Sequence, residues 1–192
     1  MKVLVACEYS GTVRDAFKAK GHDAWSCDIL PTDVPGQHYQ QDVLEVIWLG
    51  WDLMIAHPPC TYLSNAGARF MYPKGVLSEE RLALAMQGKQ LFMALLNAPI
   101  AKICVENPIP TKIIGLPQYS QLIQPHDFGH AIKKRTCLWL KGLPPLFSTM
   151  IIDGSQSTKV AGNWFNKGGK DRQKNRAKTF QGIANAMADQ WG

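Results

Sequence analysis

Lys2-Val3-Leu4-Val5-Ala6-Cys7 runs directly into Glu8-Tyr9-Ser10-Gly11, and Thr12-Val13-Arg14-Asp15-Ala16-Phe17-Lys18-Ala19-Lys20 follows before Gly21. The first segment is apolar after Lys2, which suits a buried strand. Ser10-Gly11 marks a turn, the next nine residues read as a short helix, and Gly21 supplies its stop. The N-terminal run resembles a signal peptide only superficially. Glu8 cuts it short and no small-residue cleavage pattern follows, so it reads as a first strand. A strand that turns at once into a helix is the opening of an α/β sheet.

The alternation continues outward from there. Asp23–Cys27 predicts a second strand closed by Asp28, Asp42–Leu49 a short helix, and Asp52–Ala56 a third strand. Residues 57–77 are rich in Pro, Gly and Asn and predict an unusually long loop, a kind that is usually functional or mobile. Ser78 caps a long helix, with Glu79 and Glu80 in the first turn where the helix dipole favours them. Its apolar residues Leu82, Leu84, Ala85, Leu91, Phe92, Leu95 and Leu96 are expected to cover the sheet. Ile100–Glu106 and Thr136–Leu140 read as further strands and Thr179–Gln190 as a terminal helix. The pattern predicts one α/β domain over residues 1–192 with a mostly parallel sheet. Chemistry in such sheets gathers at the carboxyl ends of the strands, where Glu8, Asp28, Cys60 and Glu106 all fall.

Composition agrees with a folded domain. The chain has 192 residues, 46% hydrophobic and 19% charged, and its apolar runs are too short to cross a bilayer. Five scattered cysteines without a Cys-x-x-Cys fit a reducing cytoplasm better than a disulfide scaffold. The net charge of +6 is concentrated at Lys167, Lys170, Arg172, Lys174, Arg176 and Lys178, opposed within that window by Asp171 alone. Such a segment reads either as a polyphosphate grip or as a solvated loop. Trp164 and Phe165 beside it are candidates for base stacking.

The first turn lacks the G-x-G-x-x-G pattern, but Gly11 allows close backbone approach to a ligand and a helix N-terminus follows. Asp28 lies 17 residues beyond Gly11, near the spacing of about 20 at which an acid meets ribose hydroxyls. It reads equally as a turn or helix cap. Asp42 reads as a helix cap or as an acceptor for an adenine amino group.

Cys60 follows His57-Pro58-Pro59 at a strand end. A buried structural cysteine would normally lie within a strand. A metal site would pair it with His57, but the zinc deaminase pattern needs a second cysteine that Pro59-Cys60-Thr61-Tyr62-Leu63 lacks. As a nucleophile Cys60 needs nearby positive charge, which Lys133, Lys134 and Arg135 can supply. Glu106 ends the apolar strand Ile103-Cys104-Val105, so it is either paired with a lysine or functional. Partial burial is expected to raise its pKa and make it a proton donor. His126 and His130 are spaced for a metal only if further ligands converge.

In order, Pro58-Pro59-Cys60, Val105-Glu106-Asn107-Pro108 and Lys133-Lys134-Arg135-Thr136 resemble the DNA cytosine-5 methyltransferase family. Cys7-Glu8-Tyr9-Ser10-Gly11 stands where that family has its glycine-rich S-adenosylmethionine turn. Thr179-Phe180-Gln181-Gly182-Ile183-Ala184 is similar to its closing helix. The resemblance spans nearly the whole chain and implies a Rossmann-like methyltransferase fold. It implies that Cys60 attacks C6 of cytosine, Glu106 protonates N3, and Arg135 contacts the base or stabilises developing charge. It places Glu8, Tyr9, Ser10, Gly11, Asp28, Ile29, Asp42 and Pro58 at the S-adenosylmethionine cofactor, with Asp28 on the ribose and Asp42 on the adenine. No metal is implied. The resemblance implies DNA, or a free cytosine nucleotide, as the partner, and in a duplex the target base would have to leave the stack.

The chain departs from the family at Glu8, where glycine is usual, and at Thr61, where glutamine is usual. Of Gln-x-Arg-x-Arg only Arg135 remains in Ala131-Ile132-Lys133-Lys134-Arg135. Only 44 residues separate Arg135 from Phe180, too few for a large target-recognition domain. Low sequence selectivity is therefore expected, with a basic loop at about 145–178 gripping phosphates in its place. A second expectation from the altered turn is a nucleic-acid-binding relative without catalysis.

Overall fold

The computed structural model describes residues 1–153 and 178–192. The chain order is β1 (Lys2–Ala6), α1 (Thr12–Ala19), β2 (Asp23–Asp28), β3 (His38–Gln40), α2 (Val43–Val46), β4 (Leu53–Ala56), α3 (Glu79–Leu96), β5 (Lys102–Pro108), β6 (Gln121–Ile123), β7 (Thr136–Lys141) and α4 (Gln181–Trp191). These seven strands form one sheet in the order β3-β2-β1-β4-β5-β7-β6. The first five are parallel, and β7 runs antiparallel to both β5 and β6. The sheet is mixed, mostly parallel and Rossmann-like. The order reverses between β1 and β4, which opens a crevice beyond their carboxyl ends.

Alternation along the strands feeds two cores. Leu4, Ala6, Met54, Ala56, Ile103 and Val105 meet Val43 and Val46 of α2 and Ala85, Phe92 and Leu95 of α3 on one face. Val3, Val5, Leu53, Ile55 and Cys104 meet Val13 and Phe17 of α1 and Ile183, Ala184 and Met187 of α4 on the other. A central strand covered on both faces must be apolar at every position, and β4 is buried at all four. Ser78 caps α3 by accepting from the Arg81 backbone N–H at 3.3 Å.

Two features differ from the sequence expectation. The strands β3 and β6 were not anticipated, because three residues are too few to show a period and His-Tyr-Gln is polar. The stretch 57–77 is not one irregular loop. It holds short helical turns at Asn65–Met71 and Pro73–Gly75, and Leu63 and Met71 anchor it in the core. The basic residues Lys167, Lys170, Arg172, Lys174 and Arg176, with Trp164 and Phe165, lie outside the described residues. Among those described, no helix is long and apolar enough to cross a membrane.

Candidate active site

The β1 end is built around Glu8. Its buried carboxylate accepts from the backbone N–H groups of Val13 (2.7 Å) and Arg14 (3.2 Å) and from the Ser10 hydroxyl (3.1 Å). Glu8 thus caps α1 from four residues upstream of the helix, and the helix N-terminus is already satisfied. Gly11 sits at φ 75°. A Cβ there would press within 2.6 Å of the Arg14 guanidinium and the Val34 methyl. Gly11 therefore makes room for protein side chains, a different reason from the ligand approach read from the sequence. Arg14 is fully buried and donates to Asp15, Ser26, Thr32 and the carbonyls of Val34 and Pro35. It ties residues 32–35 to α1.

Asp28 closes β2 and accepts from the Leu30 N–H at 2.9 Å. Burial raises its pKa, against the pull of the Leu30 N–H, the His38 charge and the Ile29 N–H. Ile29 beside it is 75% exposed. Asp42 is exposed and caps α2, accepting from Leu44 N–H at 2.9 Å, which realises the cap reading. Cys7, at φ 56°, has its thiol pKa pushed far up, first by burial and then by the Asp28 charge. The Tyr9 phenol is pushed up to about 12, mainly by burial and by Asp33.

The β4 and β5 ends lie side by side, with Ala56 paired to Val105. His57-Pro58-Pro59-Cys60 therefore leaves the sheet beside Glu106, which stays within β5 opposite Leu138 of β7, two residues short of the strand end where the sequence reading placed it. Pro58 is buried and Cys60 half-buried. The Cys60 carbonyl accepts from the backbone N–H groups of Leu63 and Ser64, which fixes the turn after the thiol. His57 Nδ1 lies 3.4 Å from Glu106 Oε2. Burial pushes the Glu106 carboxyl up, but the His57 hydrogen bond, the Lys134 charge and the His57 charge outweigh it and hold it below the usual carboxylate range. The sequence expectation of a raised pKa is thus reversed, because the hydrogen bond from His57 and the charge on Lys134 outweigh burial.

Two clefts meet at this edge. One, about 290 Å³ of open space, is lined by His57, Glu106, Ile123, Lys134, Thr136, Thr179, Phe180, Ile183 and Met187. The other, about 300 Å³, is lined by Cys7, Glu8, Tyr9, Ser10, His57, Lys178 and Thr179. The closing helix therefore returns to Glu106 with its first turn. Lys134 lines the Glu106 cleft, while Arg135 is exposed and does not line it. Cys60 lines neither cleft. His130 accepts the Gly182 N–H on Nε2 at 2.9 Å and so holds the start of α4. The sequence reading named His57 only as a metal partner for Cys60 and Lys134 only as a charge beside its thiol, and placed neither next to Glu106. The signal for His57 was its place directly after β4 at the β1–β4 crevice.

The second cleft offers a carboxylate at Glu8, hydroxyls at Ser10 and Thr179, and an ammonium at Lys178, which pairs with Asp33 at 2.8 Å. That donor set fits the amino-acid end of S-adenosylmethionine through side chains. The helix N-terminus cannot add to it, because Glu8 fills it.

The fold and these clefts define a Rossmann-like α/β protein with an acid, an imidazole and a cysteine at the carboxyl edge of its sheet. No protein-family model matches the chain, and no curated sequence does. Among solved structures, the chain is similar to a candidate DNA modification methyltransferase encoded within an Escherichia coli prophage, at 13% identity and a TM-score of 0.47. The match covers 78% of this chain and 51% of that one, so the chain spans about half that protein's length.

Proposed function

We propose that this chain is an S-adenosylmethionine-dependent methyltransferase that modifies C5 of cytosine in DNA through a covalent Cys60 adduct. One observation supports the reading: β4 and β5 pair in register at Ala56 and Val105, so the segment that leads into Pro58-Pro59-Cys60 starts beside Glu106 of β5. Cys60 adds through sulfur to C6. N3 takes the proton that the Cys60 thiol gives up as the C6–S bond forms and the C5–C6 electron pair shifts toward C4, and Glu106, held ionised, stabilises the N3-protonated ring by a charge-assisted hydrogen bond. Lys134, at the same cleft, offsets the negative charge of Glu106. Lys178, Glu8 and Ser10 would hold the amino-acid end of the cofactor, with Asp28, Ile29 and Asp42 toward its nucleoside. S-adenosylmethionine, when bound, supplies the methyl group. The single-domain organisation, with a basic segment replacing a recognition domain, belongs to the same proposal.

The test is mass spectrometry of nucleosides from DNA made in cells that express the chain. A new 5-methylcytosine, absent with Cys60→Ser, is the expected result. Unmodified cytosine in both would contradict it. The filled helix N-terminus favours a second reading, nucleic-acid binding without methyl transfer. Calorimetry separates the two, since a pure binder shows no heat with S-adenosylmethionine.

A further inference from the structure

His57 lies where the two clefts at this edge meet. Its backbone N–H donates to Ala6 at 2.9 Å, which pins it in the crevice between β1 and β4. Its side chain is 7% exposed. Nδ1 faces Glu106, and Nε2 is buried with no hydrogen-bond partner among the described residues. Buried ring nitrogens are rarely left so, and an exception calls for a ligand or a chemical role. His57 also lines both clefts, a property it shares with Thr179.

The tautomer follows from the partner. An ionised carboxylate only accepts, so the proton between the two groups belongs to His57 Nδ1. In the neutral ring Nε2 then carries a lone pair. A carboxylate that fixes an imidazole with one nitrogen free to accept is the arrangement of a general base.

We propose that His57 Nε2 removes the C5 proton of cytosine, with Glu106 holding the ring in the accepting tautomer. The inference rests on the cytosine reading above. The carbon that receives the methyl group must lie where the cofactor cleft meets the base cleft, and His57 is on that shared wall. Cys60 is engaged as the nucleophile and Glu106 at N3, so neither is free to take this proton. In the step, the C5–H electron pair becomes the C5–C6 double bond. The C6–S bond breaks with its pair returning to the Cys60 sulfur, and the proton passes to Nε2.

The test needs no methyl donor. In heavy water, addition of Cys60 to C6, deuteration of C5, loss of the original C5 proton and departure of Cys60 together exchange the C5 hydrogen of a cytosine oligonucleotide. Wild type exchanges, and His57→Gln is expected to exchange about 100-fold more slowly, at the lower end for loss of a general base. A 5-fluorocytosine oligonucleotide with S-adenosylmethionine traps the adduct before any base acts, so His57→Gln should trap it as wild type does, which also shows that the variant is folded. Imidazole added to His57→Ala should restore exchange. Exchange by His57→Gln at the wild-type rate overturns the proposal. So does loss of the trapped adduct in a variant that melts like wild type, since the role would then precede proton removal. Wild type that exchanges no C5 hydrogen overturns the cytosine reading itself.

Discussion

Glu8→Ala removes the carboxylate that caps α1, and its cost can be worked from the bonds it makes. Two backbone N–H groups, of Val13 and Arg14, lose their acceptor, and the Ser10 hydroxyl loses a third contact. Loss of a helix cap costs about 1 kcal/mol. A buried N–H left without a partner costs about 1–3 kcal/mol more. The sum is about 2–4 kcal/mol. Glu8→Gln keeps one acceptor oxygen but turns its NH₂ toward the second donor, so it should cost about 1–2 kcal/mol. Glu8→Gly brings the turn closer to the family pattern and yet should destabilise as Glu8→Ala does. Urea unfolding reads the effect. With a slope of about 2 kcal/mol/M, a loss of 3 kcal/mol lowers the midpoint by about 1.5 M. A Glu8→Ala midpoint within about 0.2 M of wild type would refute the capping argument.

Gly182→Ala should destabilise by about 1–3 kcal/mol, because its Cβ would run into the Phe128 carbonyl oxygen. Thermal melting checks this, and an unchanged midpoint would contradict it. Burial lowers the His130 pKa, so the folded chain takes up that proton less readily than the unfolded one. Stability should then fall as pH drops from about 6.5 through the folded value and level off below it. His130→Asn should flatten that step in a denaturation series. Glu106 has the opposite sign of linkage. Its depressed pKa contributes stability above the unfolded value, lost as pH falls through the folded one, and Glu106→Gln should remove that acid step.

Much of the sheet was legible because its central strands are buried on both faces. Val3 to Ala6 and Leu53 to Ala56 can be nothing but apolar, and short runs bounded by turn residues are readable without coordinates. The Asp42 and Ser78 caps were legible for the same local reason. Arg14 was not. A basic residue opening a helix is normally solvated, and only the approach of residues 32–35 buries it. At the site, the positions of Cys60 and Glu106 came from strand order, but the state of Glu106 did not. Its charge depends on His57, 49 residues away in sequence, and on Lys134, which arrives from the segment before β7. That Lys134 rather than Arg135 lines the Glu106 cleft was hidden for a related reason, since nothing local tells which of three adjacent cations faces it.

Sulfur chemistry at the edge of this sheet is measured most directly by intact-mass analysis after incubation with a 5-fluorocytosine oligonucleotide and S-adenosylmethionine. One oligonucleotide should be found attached to the peptide that contains residue 60, and Cys60→Ser should show none. Attachment through Cys7 or any other thiol, or no attachment to the folded wild-type protein, would contradict it.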